Sequence, residues 1–455
     1  MFINKLKNKV IVLFIFSMLT VLQSCESFTE IDPPKNALVK DDVFSDEKGA
    51  NSAVLGIYYQ LTSSSLGQGY TSVYLGLSAD DMYRHTDDSP SRQLHINDIV
   101  ANNDNVQVFW SSIYQVIGQA NGTVEGLENN SNFPENKRLQ FLAEAKFLRA
   151  YCYFYLVNLW GDVPLITSTK WSTTSKSVRI PKADVYTFIL NDLLESVKNL
   201  PETASNNIRA KKSAATALLA RVYLYQKNWA EAQKYAEMTI ANTLGTGAAL
   251  PNVGEVFFPN SSETIFQLQP PNNYTSSFES SLMNLFGADY LLEDNLLKEF
   301  EPGDLRRISW VGEDQGNFYA AKYTTSPYDS SGPPQYNVLL RAAEQYFIAA
   351  EAKANQNNIS GAILDLNVIR NRAGISEIDP VGISQGECLL LIEKEKRLEF
   401  FAEWGHRWLD LNRTSRASAV LGALPNKNWN TDDMLYPIPI SEIKLNPNLT
   451  QNKGY

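Results

Sequence analysis

Six charged residues crowd into one segment at helical spacings: Glu395, Arg397, Glu399, Glu403, Arg407 and Asp410. Two carboxylates flanking one bond could act as the acid and base of a hydrolase. That chemistry needs at least one carboxyl with a raised pKa. Here the carboxylates alternate with Arg and Lys, which would hold them ionised and paired. The pattern therefore predicts structural ion pairs, and Arg341 and Glu344 are read the same way. The three histidines, His85, His95 and His406, show no metal-type spacing with each other or with cysteine. The sequence contains no Gly-rich phosphate loop and no nucleophile elbow. No catalytic residue, no metal and no cofactor is expected.

Binding chemistry has better candidates. The chain carries 22 Tyr, 21 Phe and 8 Trp, a surplus that predicts some rings on the outside. A sugar presents an apolar C–H face and a rim of hydroxyls. Its site wants an exposed ring beside Asp, Asn, Gln or Arg. "DDMYRHTDD" at 80–88 brings together Asp80, Asp81, Tyr83, Arg84 and His85, with Asn102, Asn103 and Asp104 soon after. "PNNYTSSF" at 271–278 offers Tyr274 and Phe278 with Asn272 and Asn273, and Trp310 follows Arg306 and Arg307. The expected ligand contacts are the rings of Tyr83, Tyr274, Phe278 and Trp310 and the polar groups of Asp81, Arg84 and Asn102. Trp171 and Tyr319 come next. Trp110, Trp160, Trp229 and Trp408 fall on helical apolar positions and are expected in the core.

The elements that must hold these residues are mostly helical. Ala53, Ile57 and Leu61 recur at helical spacing from about Lys48, and Trp110, Ile113, Ile117 and Ala120 mark another helix. Between them, 78–105 reads as polar and irregular. In "LAEAKFLRAYCYFYLVNLWGDVPL" at 142–165, Leu142, Ala145, Leu148, Cys152, Tyr155 and Leu159 form one buried face. Gly161 and Pro164 stop that helix. Residues 213–242 read as a helical hairpin turning at Gln226-Lys227-Asn228. The same design returns at 339–372, with Leu340, Ala343, Phe347 and Ala350 on its first helix. Both are similar to tetratricopeptide units, and with pairs near 50–125 and 140–200 the array amounts to about four units.

The predicted fold is mainly α: a tetratricopeptide-like array of helical pairs with a loop-rich region carrying short strands. The frame covers about 46–242 and 336–414. Loop-rich insertions cover about 243–335, where Thr264 to Leu268 is strand-like, and about 415–440.

Hydrophobic residues make up 44% and charged residues 20% of the chain, and the net charge is −10 without a basic cluster. That disfavours nucleic acid, whose phosphates call for Lys and Arg patches. Cys152 and Cys388 sit at apolar helical positions and read as small core residues. Lys5, Lys7 and Lys9 precede an apolar run at Val10–Met18 that is too short to span a bilayer, which takes ~20 apolar residues. Leu22-Gln23-Ser24-Cys25 then resembles the lipobox of bacterial lipoproteins. Residues 1–24 are expected to be a lipoprotein signal peptide, Cys25 the lipid anchor, 25–45 a tether and 46–455 the folded domain.

Several long motifs, in order, resemble the SusD/RagB family of outer-membrane lipoproteins of Bacteroidetes. "AEAKFLRAYCYFYLVNLWGDVPL" is similar to its Ala-Glu-Ala helix ending in Gly-Asp-Val-Pro. "RIPKADVYTFILNDLLESVKNLP" at 179–201, "EKRLEFFAEWGHRWLDLNR" at 395–413 and "YPIPISEIKLNPNLTQNKGY" at 436–455 resemble its later signatures. Lys396 and Lys453 depart from its usual arginine and proline, and Trp404 sits between Glu403 and Gly405. The resemblance implies a binding protein on the outer membrane, facing outward, that passes an oligosaccharide to a SusC-type TonB-dependent transporter. It also implies ligand contacts from an early loop and from the later insertion. Binding of a peptide, as in RagB-type members, uptake of another nutrient, a surface glycoside hydrolase and a pure scaffold remain the alternatives.

Overall fold

The computed structural model describes residues 40–455 apart from 87, 205, 246–248, 260, 272–273, 286–288 and 330. The signal peptide, Cys25, most of the tether, Asn272 and Asn273 lie outside the described residues.

Helix α1 (Glu47–Ser63) starts at Asp46, whose side chain accepts from the Gly49 amide, an N-cap that satisfies one of the unpaired first-turn donors. After α2 (Tyr70–Ser78), the stretch expected to be irregular forms strand β1 (Met82–Arg84) and helix α3 (Ser89–Ile96). Two local and long-range causes explain this difference. Asp88 caps α3 on the Ser91 amide, and β1 is stabilised by a partner strand more than 200 residues away.

Helix α4 (Asp104–Leu127), capped by Asn103, and helix α5 (Glu135–Trp160) pack side by side. Gly161 ends α5 with φ +72, a left-handed conformation that glycine adopts without Cβ strain. The sequence suggests one buried face on α5, but nearly every residue from Phe141 to Trp160 is buried. A helix apolar all round is a central helix, and α5 is enclosed by α1, α4, α6 (Lys182–Asn199) and the Trp404 segment. Arg149 of α5 bridges its neighbours, donating to both oxygens of Asp192 (2.9 Å each) and to Asn121 (2.8 Å).

The predicted hairpin is α7 (Lys212–Tyr225) and α8 (Trp229–Leu244). Strand β2 (Thr264–Leu268) follows, then β3 (Tyr290–Leu292), which pairs antiparallel with β1. Helix α9 (Leu305–Trp310) leads into the hairpin β4 (Val311–Asp314) and β5 (Asn317–Ala320). Strand β6 (Asn337–Arg341) pairs with β2. Leu340 and Arg341 therefore sit on a strand, and the second repeat helix, α10 (Ala342–Asn355), begins only after them. The β-branched and leucine side chains of β6 satisfy the strand because β2 offers a matching buried edge. Its pair, α11 (Ile359–Arg372), completes the repeat.

The two hairpins share one turn design. Lys227 and Asn357 have φ +58 and +61, and Asn228 and Asn358 cap the next helix. Small residues Ala220, Ala232, Ala236, Ala349 and Ala352 let the two repeats stack closely.

Helices α12 (Gln385–Phe400) and α13 (His406–Arg413) close the frame. The stretch 415–440 holds helical turns in place of the expected short strands. Asn430 and Asp433 form a local capping box there, which competes with strand pairing. Cys152 and Cys388 are both buried and unbridged.

Candidate functional site

The charged segment of α12 and α13 is buried, and its partners come largely from other elements. Glu399 accepts from Arg341 (2.5 Å) and also pairs with Arg372. Glu403 accepts from Nε and Nη2 along one edge of the Arg341 guanidinium (2.9 Å each) and from Lys322 (2.5 Å). Glu395 is held by Arg306 (2.8 Å) and Arg370. Arg407 donates to both oxygens of Asp80 (2.7 and 3.0 Å). Burial alone would raise the Glu399 pKa, but Arg372, Arg341 and Arg306 outweigh it and hold the carboxyl well below its usual range. Such a group is a permanent anion, unsuited to donating a proton at neutral pH. Glu344 pairs with Arg221 (2.5 and 2.7 Å). Among the described residues no three His, Cys, Asp or Glu side chains are grouped to hold a metal ion.

This network absorbs two of the expected ligand residues. Asp81 is 2% exposed and accepts from Arg397 Nε at 2.9 Å. Trp310 is also 2% exposed; its Nε1 donates to the Val253 carbonyl at 3.0 Å, and Lys322 lies 4.7 Å from its ring. Both are core residues. Their irregular flanks suggested exposure, but a buried cation cluster needs a carboxylate and an aromatic wall, and they supply these. Trp110, Trp160 and Trp408 are buried as expected, whereas Trp229 is only half-buried.

Two expected rings do meet. Tyr274 and Phe278 are half-buried with centroids 4.4 Å apart, and Tyr328 joins them at 5.5 Å from Tyr274. Tyr328 is 64% exposed. The loop carrying Tyr274 is tied to the 326–329 turn through the Thr275 amide to Pro327 (3.0 Å) and the Thr275 hydroxyl to Asp329 (2.7 Å). These ties gather the three rings edge-to-face, with planes 68° and 76° apart, into one surface platform whose exposed ring is Tyr328. The sequence reading omitted Tyr328, although "SPYDSSGPP" places a tyrosine among turn residues and could have signalled it.

Tyr83 and Arg84 are adjacent on β1 and so point to opposite faces. The Tyr83 ring lies 6.5 Å from that of His95, which contacts Glu293 (3.0 Å). Arg84 lies over the Tyr290 ring (5.3 Å) and donates to Asp289 (2.7 and 3.0 Å). A polar cavity of about 240 Å³ opens here, lined by Arg84, His85, Thr86, Asp88, Ser91 and His95 among others. Asn102 is exposed beside the start of α4, with no described bond to the other candidates. Trp171 is 79% exposed in a separate short helical turn, and Tyr319 lies across Gly312 in the β4–β5 hairpin.

The platform loop is anchored at Glu279, directly after Phe278. Glu279 is buried and accepts from the Ser72 hydroxyl (2.8 Å), and Ser72 in turn accepts from the Trp404 amide (2.9 Å). Gly69, at φ +88, admits this carboxylate, since a Cβ there would lie 2.5 Å from Glu279 Cγ. Burial raises the Glu279 pKa to about 8; the Ser72 bond opposes it and the Glu403 charge adds to it. The folded state thus keeps a proton that the unfolded chain loses near pH 4.5. The Glu279 contribution to stability falls as pH rises from about 4.5 to about 8, and levels off above. Glu279→Gln mimics the protonated form. It should melt several degrees higher than the parent at pH 8 and about equally at pH 4.5. Equal melting at both pH values would remove this reading.

Two family models match the chain: one described as starch-binding associating with outer membrane, over residues 32–224, and the SusD family, over 309–455. The SusD-like protein P25 of Formosa agariphila is 25% identical, with 99% of this chain and all of the relative aligned. The crystal structure of a SusD superfamily protein from Bacteroides vulgatus superposes with a TM-score of 0.78 at 21% identity, covering 90% of this chain and 100% of that one. A solved laminarin-binding SusD-like protein superposes at 0.75 with 24% identity, covering 90% of this chain and 100% of that one. The matched segments contain the Ala-Glu-Ala helix, the buried ion-pair helices and the C-terminal signature described above. The chain belongs to the SusD/RagB family.

Proposed function

We propose that the protein binds an oligosaccharide at the cell exterior and delivers it to a SusC-type TonB-dependent outer-membrane transporter, without catalysis. The observation that carries this reading is the platform of Tyr274, Phe278 and Tyr328. The exposed Tyr328 ring can stack on the C–H face of a sugar, and the separate cavity at β1 offers donors and acceptors for hydroxyls. The laminarin-binding name of one structural neighbour supports the same ligand class. The buried pairing of every hallmark carboxylate supports binding over hydrolysis.

A glycan and peptide array probed with residues 26–455 tests the ligand class. Binding to glycans alone is expected; binding to peptides alone would replace the sugar with a peptide.

The anchor is tested separately. Cys25→Ala should leave a folded protein that no longer fractionates with membranes, because acyl chains provide the anchoring energy. Metabolic labelling with a fatty acid should mark the parent and leave the variant unlabelled. An unlabelled parent would exclude the anchor.

A further inference from the structure

A cavity of about 610 Å³ opens between the α7–α8 turn, the end of α10, α12 and the end of α13. It shares no lining residue with the polar cavity at β1. Its size suits one small ligand, whose pockets span roughly 300–1,000 Å³. Trp229, Leu389, Leu390 and Ile392 supply an apolar wall, and Leu390 is 50% exposed.

The charged part of the lining is unbalanced. Glu351 accepts a two-pronged bond from Arg413 (2.5 and 2.6 Å). Asp410 is matched by Arg413 (2.7 Å) and Lys396 (2.9 Å). Glu393 accepts from Arg407 and Arg416 (3.0 Å each). Each lining carboxylate therefore already has a fixed cation. Two positive groups retain donors. Arg416 uses only its Nε in the described bonds, and the exposed Lys227 ammonium has no partner among the described residues.

We propose that this cavity is a second ligand site, for a ring bearing one carboxylate and an apolar face. The ring would lie against Trp229 and Leu390, and the carboxylate would meet Lys227 and Arg416 through charge-assisted bonds. A neutral ligand would leave those donors unused, and a cation would be repelled. Two sources carry this chemistry, a uronic-acid sugar and an aryl carboxylate. The inference stands apart from the glycan platform, since no residue is common to both.

The test is calorimetry on the full chain in detergent. The probes are benzoate and a glucuronate-ended disaccharide, each beside its methyl ester. At least one acid should bind, about tenfold or more tightly than its ester, and more weakly as salt rises. Lys227→Gln and Arg416→Gln should each weaken it at least about threefold, with unchanged melting temperature because both side chains reach solvent. The arm that binds identifies the source, and binding of both assigns the shared carboxylate chemistry. The proposal fails if neither acid binds at about 10 mM, if an ester matches its acid, or if both variants bind like the parent. Glycan binding through Tyr274 would be unaffected by any of these failures.

Discussion

Arg341→Met is expected to leave little or no folded protein. The Arg341 guanidinium contacts three buried carboxylates, Glu263 (3.2 Å), Glu399 (2.5 Å) and Glu403 (2.9 Å), and the Glu399 carbonyl (3.1 Å). It also lies 4.0 Å from the Phe400 ring. Removing it leaves those anions dependent on Arg372, Arg306 and Lys322. Breaking one buried pair costs ~3–5 kcal/mol, against a total stability of roughly 5–15 kcal/mol for a domain. Arg341→Lys keeps the charge but loses the planar fork, so it should fall between the two. Glu399→Gln and Glu403→Gln should lower stability in the same way and abolish no turnover.

Soluble yield and denaturant midpoints measure this, with Lys298→Ala as an exposed control that should match the parent. The acid limb follows from the same cluster. Glu399 has a depressed folded-state pKa, so its contribution is complete above 4.5, the ordinary glutamate value, and is lost as pH falls below it. An Arg341→Met chain with the parental midpoint would show that the network carries no stability.

The second large effect concerns the ligand. Tyr274→Ala and Tyr328→Ala should each weaken binding to the best glycan on the array by about thirtyfold or more. The basis is that a central aromatic anchor typically costs ≥2 kcal/mol at a hot spot. Tyr328 is largely exposed, so its loss should leave the fold intact. Trp310→Ala should do the opposite. It opens a cavity beside Lys322 and Arg341 and should cost ~3–5 kcal/mol of stability. Calorimetry with the same glycan, paired with melting curves, separates the two outcomes. Parental affinity in both tyrosine variants would move the site elsewhere, with exposed Trp171 the next ring to test.

Much of the frame was legible because helical periodicity is local. Apolar residues three and four apart, Gly161 as a stop and the Gln-x-Asn turns depend only on near neighbours, and they set α5 and the α7–α8 pair directly from the sequence. The ion-pair reading of Glu395 to Asp410 was also local in origin: carboxylates spaced among cations do not make an acid catalyst.

Which cation meets which carboxylate was not legible. Arg341, Arg306 and Asp80 reach the segment from β6, from α9 and from the approach to β1, across long sequence separations. The same limit explains Asp81, Trp310 and Leu340. Each lies in or near a segment whose local pattern says one thing, and a distant partner strand or buried charge imposes another. The ring platform is the converse case. Tyr274 and Phe278 share a short loop and could be read together, but Tyr328 joins them only because Thr275 ties two distant turns. Sequence alone therefore determined the helical frame and the family. Tertiary structure decided which rings stay at the surface, because exposure depends on what packs over a residue, and that packing comes from far along the chain.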